Sequence, residues 1–267
     1  MTQEILVVGA TGKTGRRVVR SLETRGITVR KASRSTGFDW NDTTTWKPFL
    51  EGADAVYLIA PEDPAAAAPF TDLATTAGVR RLVLLSGRGL DETPPALFEG
   101  MRAAEAALRA STATWTILRA NNFTQNFSEE VWQAEVEAGT LSLPVDDTPE
   151  PFVDVADIAE AAALALTTDD HHGRTYNLSG PEPVTFDTAL AKISAATGRT
   201  TTLTRLTPDE YAQHLRAQGV PDEVVTELNM LYEGMRAGVL ATPTTDLETL
   251  LGRPATSFDT YVAETWS

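Results

Sequence analysis

The sequence predicts an α/β fold, a doubly wound parallel sheet followed by a small, mostly helical C-terminal lobe. Two observations carry this. Short runs rich in Ile, Val and Leu alternate with helical segments through residues 1–120, as in serial β-α-β units whose right-handed crossovers build an open sheet. The first run, ILVV at 5–8, then ends in GATGKTG, with glycines at 9, 12 and 15. A strand, a glycine-rich turn and a helix opening at Thr14–Gly15 form the pattern that brings a backbone close to a pyrophosphate.

The elements follow in order. A strand at 4–8 leads to a helix near 14–24, which stops at Gly26. ITVRKAS (27–33) is a strand, a short third strand-like element is expected near 37–40, and a polar helix around 43–50. AVYLIA (55–60) ends at Pro61, and the alanine-rich 64–77 forms a helix closed by Gly78. RLVLLS (81–86) and WTILRA (115–120) are buried strands separated by a helix at about 95–110. After Asn121 the pattern changes to a helix near 124–138, a β segment at GTLSLPV, a helix at 154–167, a strand at RTYNLSG and a helix at 185–197. The remainder is expected to be mostly helical and is rich in Thr and Pro. The expected division is 1–150 for the nucleotide-binding domain and 151–267 for a part that adds a last strand and the substrate lobe.

The 267 residues are enough for one large core, and no apolar run is long enough for a membrane span. With no cysteine, disulfides and thiolate sites are excluded. The start lacks a signal-peptide pattern, so a cytoplasmic location is expected. The net charge of −15 is uneven: residues 1–47 hold nine Lys/Arg against four acids, leaving 13 against 33 in the rest. A basic N-terminal segment suits a polyanionic cofactor, while the acidic remainder argues against nucleic acid or an anionic membrane.

The end of 27–33 decides the cofactor. It reads Arg30-Lys31-Ala32-Ser33-Arg34-Ser35, without the acid that would hold a ribose 2′-hydroxyl. Arg34 can meet a 2′-phosphate with its planar guanidinium, helped by Ser33 or Ser35, so NADP(H) is expected. Nothing specifically asks for a flavin. Asp39 suits an adenine amine or an ordinary turn equally. The expected cofactor-binding residues are Gly9, Thr11, Gly12, Lys13, Thr14, Gly15, Ser33, Arg34, Ala60, Pro61, Ser86, Asn121 and Phe123.

GATGKTG, ASRS, AVYLIAP, LVLLS and AAEAALRASTATWTILRANNFTQNF together resemble the NmrA-like atypical short-chain dehydrogenase/reductases over essentially the whole chain. PFVDVADIAEAAALALT, YNLSGPEPVTFDTALAKI and LLGRPATSF are most similar to the ergot-alkaloid (agroclavine/festuclavine) dehydrogenase-like branch. NAD(P)H:quinone oxidoreductase-like and isoflavone-reductase-like members are more distant. The resemblance implies a Rossmann-like domain binding NADP(H), with a lobe that shapes an apolar pocket.

The superfamily's usual Tyr-x-x-x-Lys pair has no counterpart. No lysine occurs between Lys47 and Lys192, and no tyrosine between Tyr57 and Tyr176. The position where relatives carry Lys or His falls on Met101, with Leu97 before it; a one-residue shift gives Arg102 and Phe98. Neither pair holds a proton donor of suitable pKa. An acceptor that needs little acid help is therefore expected: a small apolar iminium or quinone-like molecule reduced by direct hydride transfer. The alternatives are a ketone or C=C reductase of secondary metabolism, and a non-catalytic NADP(H)-sensing regulatory protein.

Ser86 is the candidate catalytic residue, at the superfamily's substrate-side serine. Phe123, Phe127, Trp132, Phe152 and Met230 are the expected substrate pocket, with Tyr211, Tyr232 and Met235 as further candidates. Arg119 is expected to anchor its strand end. His171 and His172 lie in a polar turn, and no metal is expected. A homodimer is compatible with the exposed helices, though no helical pattern selects one.

Overall fold

The computed structural model describes residues 3–266. Eight strands form: β1 Glu4–Val8, β2 Thr28–Ala32, β3 Ala55–Ile59, β4 Arg81–Gly87, β5 Thr114–Ala120, β6 Thr140–Leu143, β7 Arg174–Leu178 and β8 Thr202–Arg205. The helices are α1 Gly15–Thr24, α2 Trp46–Leu50, α3 Ala67–Thr76, α4 Glu99–Ala110, α5 Gln133–Ala138 and α6 Val155–Thr167, then α7 Phe186–Thr197, α8 Pro208–Ala217, α9 Asp222–Arg236, α10 Asp246–Leu251 and α11 Phe258–Trp266. Six strands make one parallel sheet in the order β2-β1-β3-β4-β5-β7. None of the described helices is long and apolar enough to cross a membrane.

The near-continuous apolar strands follow from burial on both faces. Along β1, Ile5 and Val7 pack with α1, α6 and α10, while Leu6 and Val8 point the other way into a core with α2, α3 and α4. α1 is strongly one-sided, burying Val18, Val19 and Leu22. α6 is buried almost all round by its alanines, and Asp154 caps it by accepting from the Ala156 N–H.

Two local expectations change. Residues 37–40 form no strand. Gly37 turns the chain at φ +91°, and Phe38 enters an edge-to-face cluster with Trp40, Phe49 and Phe70. Trp46 joins through Trp40 and donates its indole N–H to the Asp39 carbonyl at 2.8 Å. Aromatic packing thus displaces strand pairing here. The helix expected near 124–138 is broken into a short 3-10 turn over Thr124–Phe127 and α5, with Glu130 between them at φ +64°. The break has a cause: the Gln125 carboxamide donates to Asp154 at 2.8 Å and accepts from the Val155 N–H at 2.9 Å, tying the turn to the start of α6.

A second aromatic core, with Phe127, Trp132, Phe152, Phe186 and Phe258 at its centre, builds the lobe. Its two-stranded sheet pairs β6 with β8 in parallel. Residue 150 marks no break in this packing. Phe127 to Val145 already belong to the lobe core, whereas α6 and β7 return to the main sheet.

Candidate active site

The loop between β1 and α1 is built on close backbone packing. Gly9 sits at φ +75°, and a Cβ on Gly15 would lie 2.0 Å from the Gly9 carbonyl oxygen. The Gly12 N–H donates to that same oxygen at 2.9 Å. Among the described residues, no protein acceptor takes the backbone N–H of Thr11, Lys13 or Thr14. Unpaired N–H groups converging at a helix N-terminus form an anion cradle. At the end of β2, Ser33 is buried with its hydroxyl 2.8 Å from that of Ser35, and Arg34 is exposed without an ion pair among the described residues. Asp39 serves a turn, its Oδ1 accepting from the Asn41 N–H at 2.9 Å. Cradle and open guanidinium together fit a dinucleotide carrying one further phosphate.

Beside the cradle, at the C-terminal ends of β3, β4 and β5, lies a cavity of about 440 Å³. Its apolar wall includes Ile59, Leu85, Phe98, Met101, Phe123 and Leu240, and its polar lining includes Lys13, Thr14, Ser86, Arg88, Asn121 and Asn122. Leu231 and the exposed Val131 also contribute. Ala60 and Pro61 border a smaller groove of about 270 Å³ that shares Phe98 and Met101 with it. Of the two candidate helix positions, Met101 faces the cavity. Arg102 turns away to carbonyls at Leu90, Thr93 (2.9 Å) and Leu97 (3.2 Å), and Leu97 is core.

Four of the five expected pocket residues lie elsewhere. Phe127, Trp132 and Phe152 are buried in the lobe core, packed on one another and on Phe186. Met230 borders a separate surface groove between α8 and α9. Of the expected set, Phe123 lines the cavity. Tyr211, Tyr232 and Met235 are core as well. Large aromatic side chains gain most by complete burial, and a run such as NFTQNFSEEVW does not show which of them the lobe will enclose.

Ser86 faces the cavity, yet its hydroxyl donates to Glu105 Oε1 at 2.8 Å. Glu105 is buried at 2 % exposure and held by two 2.8 Å bonds from Arg119, with Arg109 at 2.9 Å. Burial alone would raise the Glu105 pKa, but Arg119 and Ser86 bring it below the ordinary carboxylate value. Arg119 stays charged through its bonds to Glu105 and Asp91. Ser86 is thereby tied to a carboxylate, and Arg119 anchors β5. Tyr57 is wholly buried, and burial holds its hydroxyl well above the usual tyrosine range.

Three site residues had no sequence prediction or exceed it. Lys13 reaches across from the glycine loop, donating Nζ to Asn126 Oδ1 at 2.8 Å and to the Glu129 carbonyl at 3.0 Å. Burial lowers its pKa against the pull of Glu130 and Glu129. Arg88, two residues beyond Ser86, donates Nη1 to Asn121 Oδ1 at 2.9 Å. Its place directly after a buried strand was the available signal. Glu150 accepts from the Asn122 carboxamide at 2.7 Å while its Oε1 has no partner; burial pushes its carboxyl up to about 7 despite Asn122 and Arg88. His171 contacts the Tyr176 hydroxyl at 2.9 Å, and His172 Nδ1 accepts from the Trp115 N–H at 3.2 Å. Among the described residues no cluster with metal-ligand composition forms.

Residues 9–169 match the family described as NAD(P)H-binding. The chain is 33 % identical to (4-alkanoyl-5-oxo-2,5-dihydrofuran-3-yl)methyl phosphate reductase of Streptomyces griseus, over 97 % of each chain. It is 30 % identical to agroclavine dehydrogenase of Claviceps fusiformis, over 97 % of this chain and 96 % of that one. Among solved structures, the NADPH-dependent quinone oxidoreductase of Escherichia coli complexed with NADPH superposes with a TM-score of 0.80 at 25 % identity, covering 98 % of this chain and all of the other. Together with the six-stranded Rossmann-like sheet, these similarities show that the chain belongs to the NAD(P)H-binding family of oxidoreductases.

Proposed function

We propose that this protein transfers hydride from NADPH to a small, apolar, electrophilic acceptor of quinone type, without a Tyr–Lys pair. The observation that carries this is the largely apolar cavity at the strand ends beside the cradle, where Met101 stands at the helix position that would hold a lysine. When bound, the cofactor supplies the hydride. The chain's part is to bind and orient. The loop N–H groups of Thr11, Lys13 and Thr14 would hold the pyrophosphate, and Arg34 a 2′-phosphate. Phe123, Leu85 and Met101 would press the acceptor into place and keep water from its reacting face.

A quinone suits these walls because it accepts hydride readily and its oxygen can then take a proton from water. Glu130 also lines the cavity and offsets Lys13, which leaves Arg88 as the cation without an ion pair among the described lining residues and makes the lining more hospitable to an uncharged or anionic acceptor than to an iminium cation. The relatives' names, among them quinone oxidoreductase 2 of Escherichia coli and NAD(P)H azoreductase of Xenophilus azovorans, agree with this acceptor class. The test is NADPH consumption against a panel of quinones, cyclic iminium ions and simple ketones. Quinones should turn over fastest. Fast ketone turnover with an alkaline pKa would point to a proton donor and overturn the proposal; no turnover by any acceptor would favour the sensor alternative.

A further inference from the structure

The cavity holds two cationic side chains, Lys13 and Arg88, and one carboxylate, Glu130, and the two cations differ in one respect. Lys13 is engaged by Asn126 and the Glu129 carbonyl, with Glu130 Oε2 at 3.7 Å. Arg88 has one protein acceptor for its guanidinium, the Asn121 carboxamide oxygen, and forms no ion pair among the described residues. Four of its five N–H groups therefore have no protein acceptor. The carboxylates that attract it are Glu92, Glu150 and Asp246, none of them in an ion pair with it among the described residues; Asp246 is engaged elsewhere, while Glu150 is bonded through one oxygen and keeps the other, Oε1, without a partner. Asp246 accepts from the Asn177 N–H at 2.7 Å, and Glu150 from Asn122 at 2.7 Å. Asn121 is itself fixed by donating to the Leu240 carbonyl at 3.1 Å, so the guanidinium rests on a positioned support.

Sheet order places this group away from the cofactor's phosphates. The cradle follows β1 and Arg34 follows β2, whereas Arg88 follows β4 and bonds a residue just past β5. β1 and β4 are separated by β3, roughly 10 Å at ordinary strand spacing. A half-buried guanidinium with most of its N–H groups without a protein acceptor, lining an apolar cavity two strands away from the glycine loop, is suited to bidentate recognition of an oxyanion.

We propose that Arg88 binds an anionic group of the substrate, a carboxylate or a phosphate, and so selects acidic acceptors over neutral ones. This rests on the acceptor class proposed above, and the experiment separates the two. The probes are a 1,4-benzoquinone bearing a propanoate arm and its methyl ester, which share a ring but differ in charge; with no cysteine in the chain, thiol addition does not interfere. Binding is measured by calorimetry on the NADP⁺-loaded protein at low and high salt. The acid should bind about tenfold more tightly than the ester, with the advantage shrinking in salt. Arg88→Met should bring the ratio to about one, and Arg88→Lys should leave part of it. Equal wild-type affinities, a preference indifferent to salt, or a preference kept in a folded Arg88→Met protein would overturn the assignment. The wild-type comparison decides alone if that variant does not fold. NADPH consumption with the same pair tests the quinone reading separately: turnover of neither probe defeats that reading, while an acid preference in binding would still uphold Arg88.

Discussion

The Ser86 hydroxyl donates to Glu105 at 2.8 Å, and the same carboxylate is clasped by Arg119 from β5. A serine at the mouth of β4 is thus part of the brace joining α4, β4 and β5, rather than a free donor over the cavity. Ser86→Ala should keep turnover within about threefold and cost roughly 1.5–3 kcal/mol of stability, the range for a hydrogen bond to a charged group. Arg119→Met removes the main partner of the buried Glu105 carboxylate, leaving it to Arg109 and Ser86, and should cost about 3 kcal/mol, the low end for breaking a buried pair. Denaturant titration with parallel kinetics checks both; a hundredfold fall in kcat with unchanged stability for Ser86→Ala would restore it as a catalytic residue.

Arg34 stands exposed at the end of β2, without an ion pair among the described residues. Arg34→Ala should weaken NADPH binding about ten- to hundredfold and leave NADH nearly unaffected, since only one of them carries the 2′-phosphate. Fluorescence titration with both cofactors measures the ratio. Parallel loss for both would place Arg34 outside the phosphate site.

Glu150 links pH to stability. Its pKa is about 7 in the folded protein against an ordinary 4.5, because burial disfavours the charge. Between those values the folded state keeps a proton that the unfolded chain has lost. Stability should therefore fall as pH rises from 4.5 to 7, by about 3 kcal/mol once both states are ionised. Glu150→Gln can still accept from Asn122 and should flatten this slope, making the variant the more stable one at pH 8. Melting curves across pH test it; superimposable profiles would show that Glu150 ionises freely.

Gly15 has no room for a side chain, because its Cβ would meet the Gly9 backbone. Gly15→Ala must shift the cradle, costing about 1–3 kcal/mol and weakening NADPH binding at least tenfold. Wild-type affinity in the variant would mean the loop can open without loss.

Phe127 is fully buried in the lobe core. Phe127→Ala should cost about 3–5 kcal/mol, while the folded fraction keeps a KM within about twofold of wild type. A large KM change at unchanged stability would return Phe127 to the substrate pocket.

The sheet and cradle were legible in the sequence because their causes are local. Apolar strand runs, helix-stopping glycines and the 9-12-15 glycine spacing act within a few residues, and β1, α1 and the Arg34 turn fall close to where those signals put them. Phe123 was legible too, at a strand end; Met101 was marked only as the position where relatives carry Lys or His, and its place in the cavity came with the structure. The aromatics were not. Phe38 and Phe127 look alike in sequence as strand, helix or pocket residues, and the partners that claim them arrive from elsewhere in the chain: Phe70 for the first, Phe186 and Phe258 for the second.

By itself, then, the sequence determined the parallel sheet, the glycine-rich turn after β1 and the basis for preferring NADP(H). Tertiary structure alone decided which side chains meet in the cavity. Lys13 finds Asn126 across 113 residues, and Asn121, which supports Arg88, is fixed by Leu240 across 119. The reason is physical: a cradle is made of neighbouring backbone, whereas a pocket is the remainder left once two cores have closed around their own aromatic and aliphatic side chains.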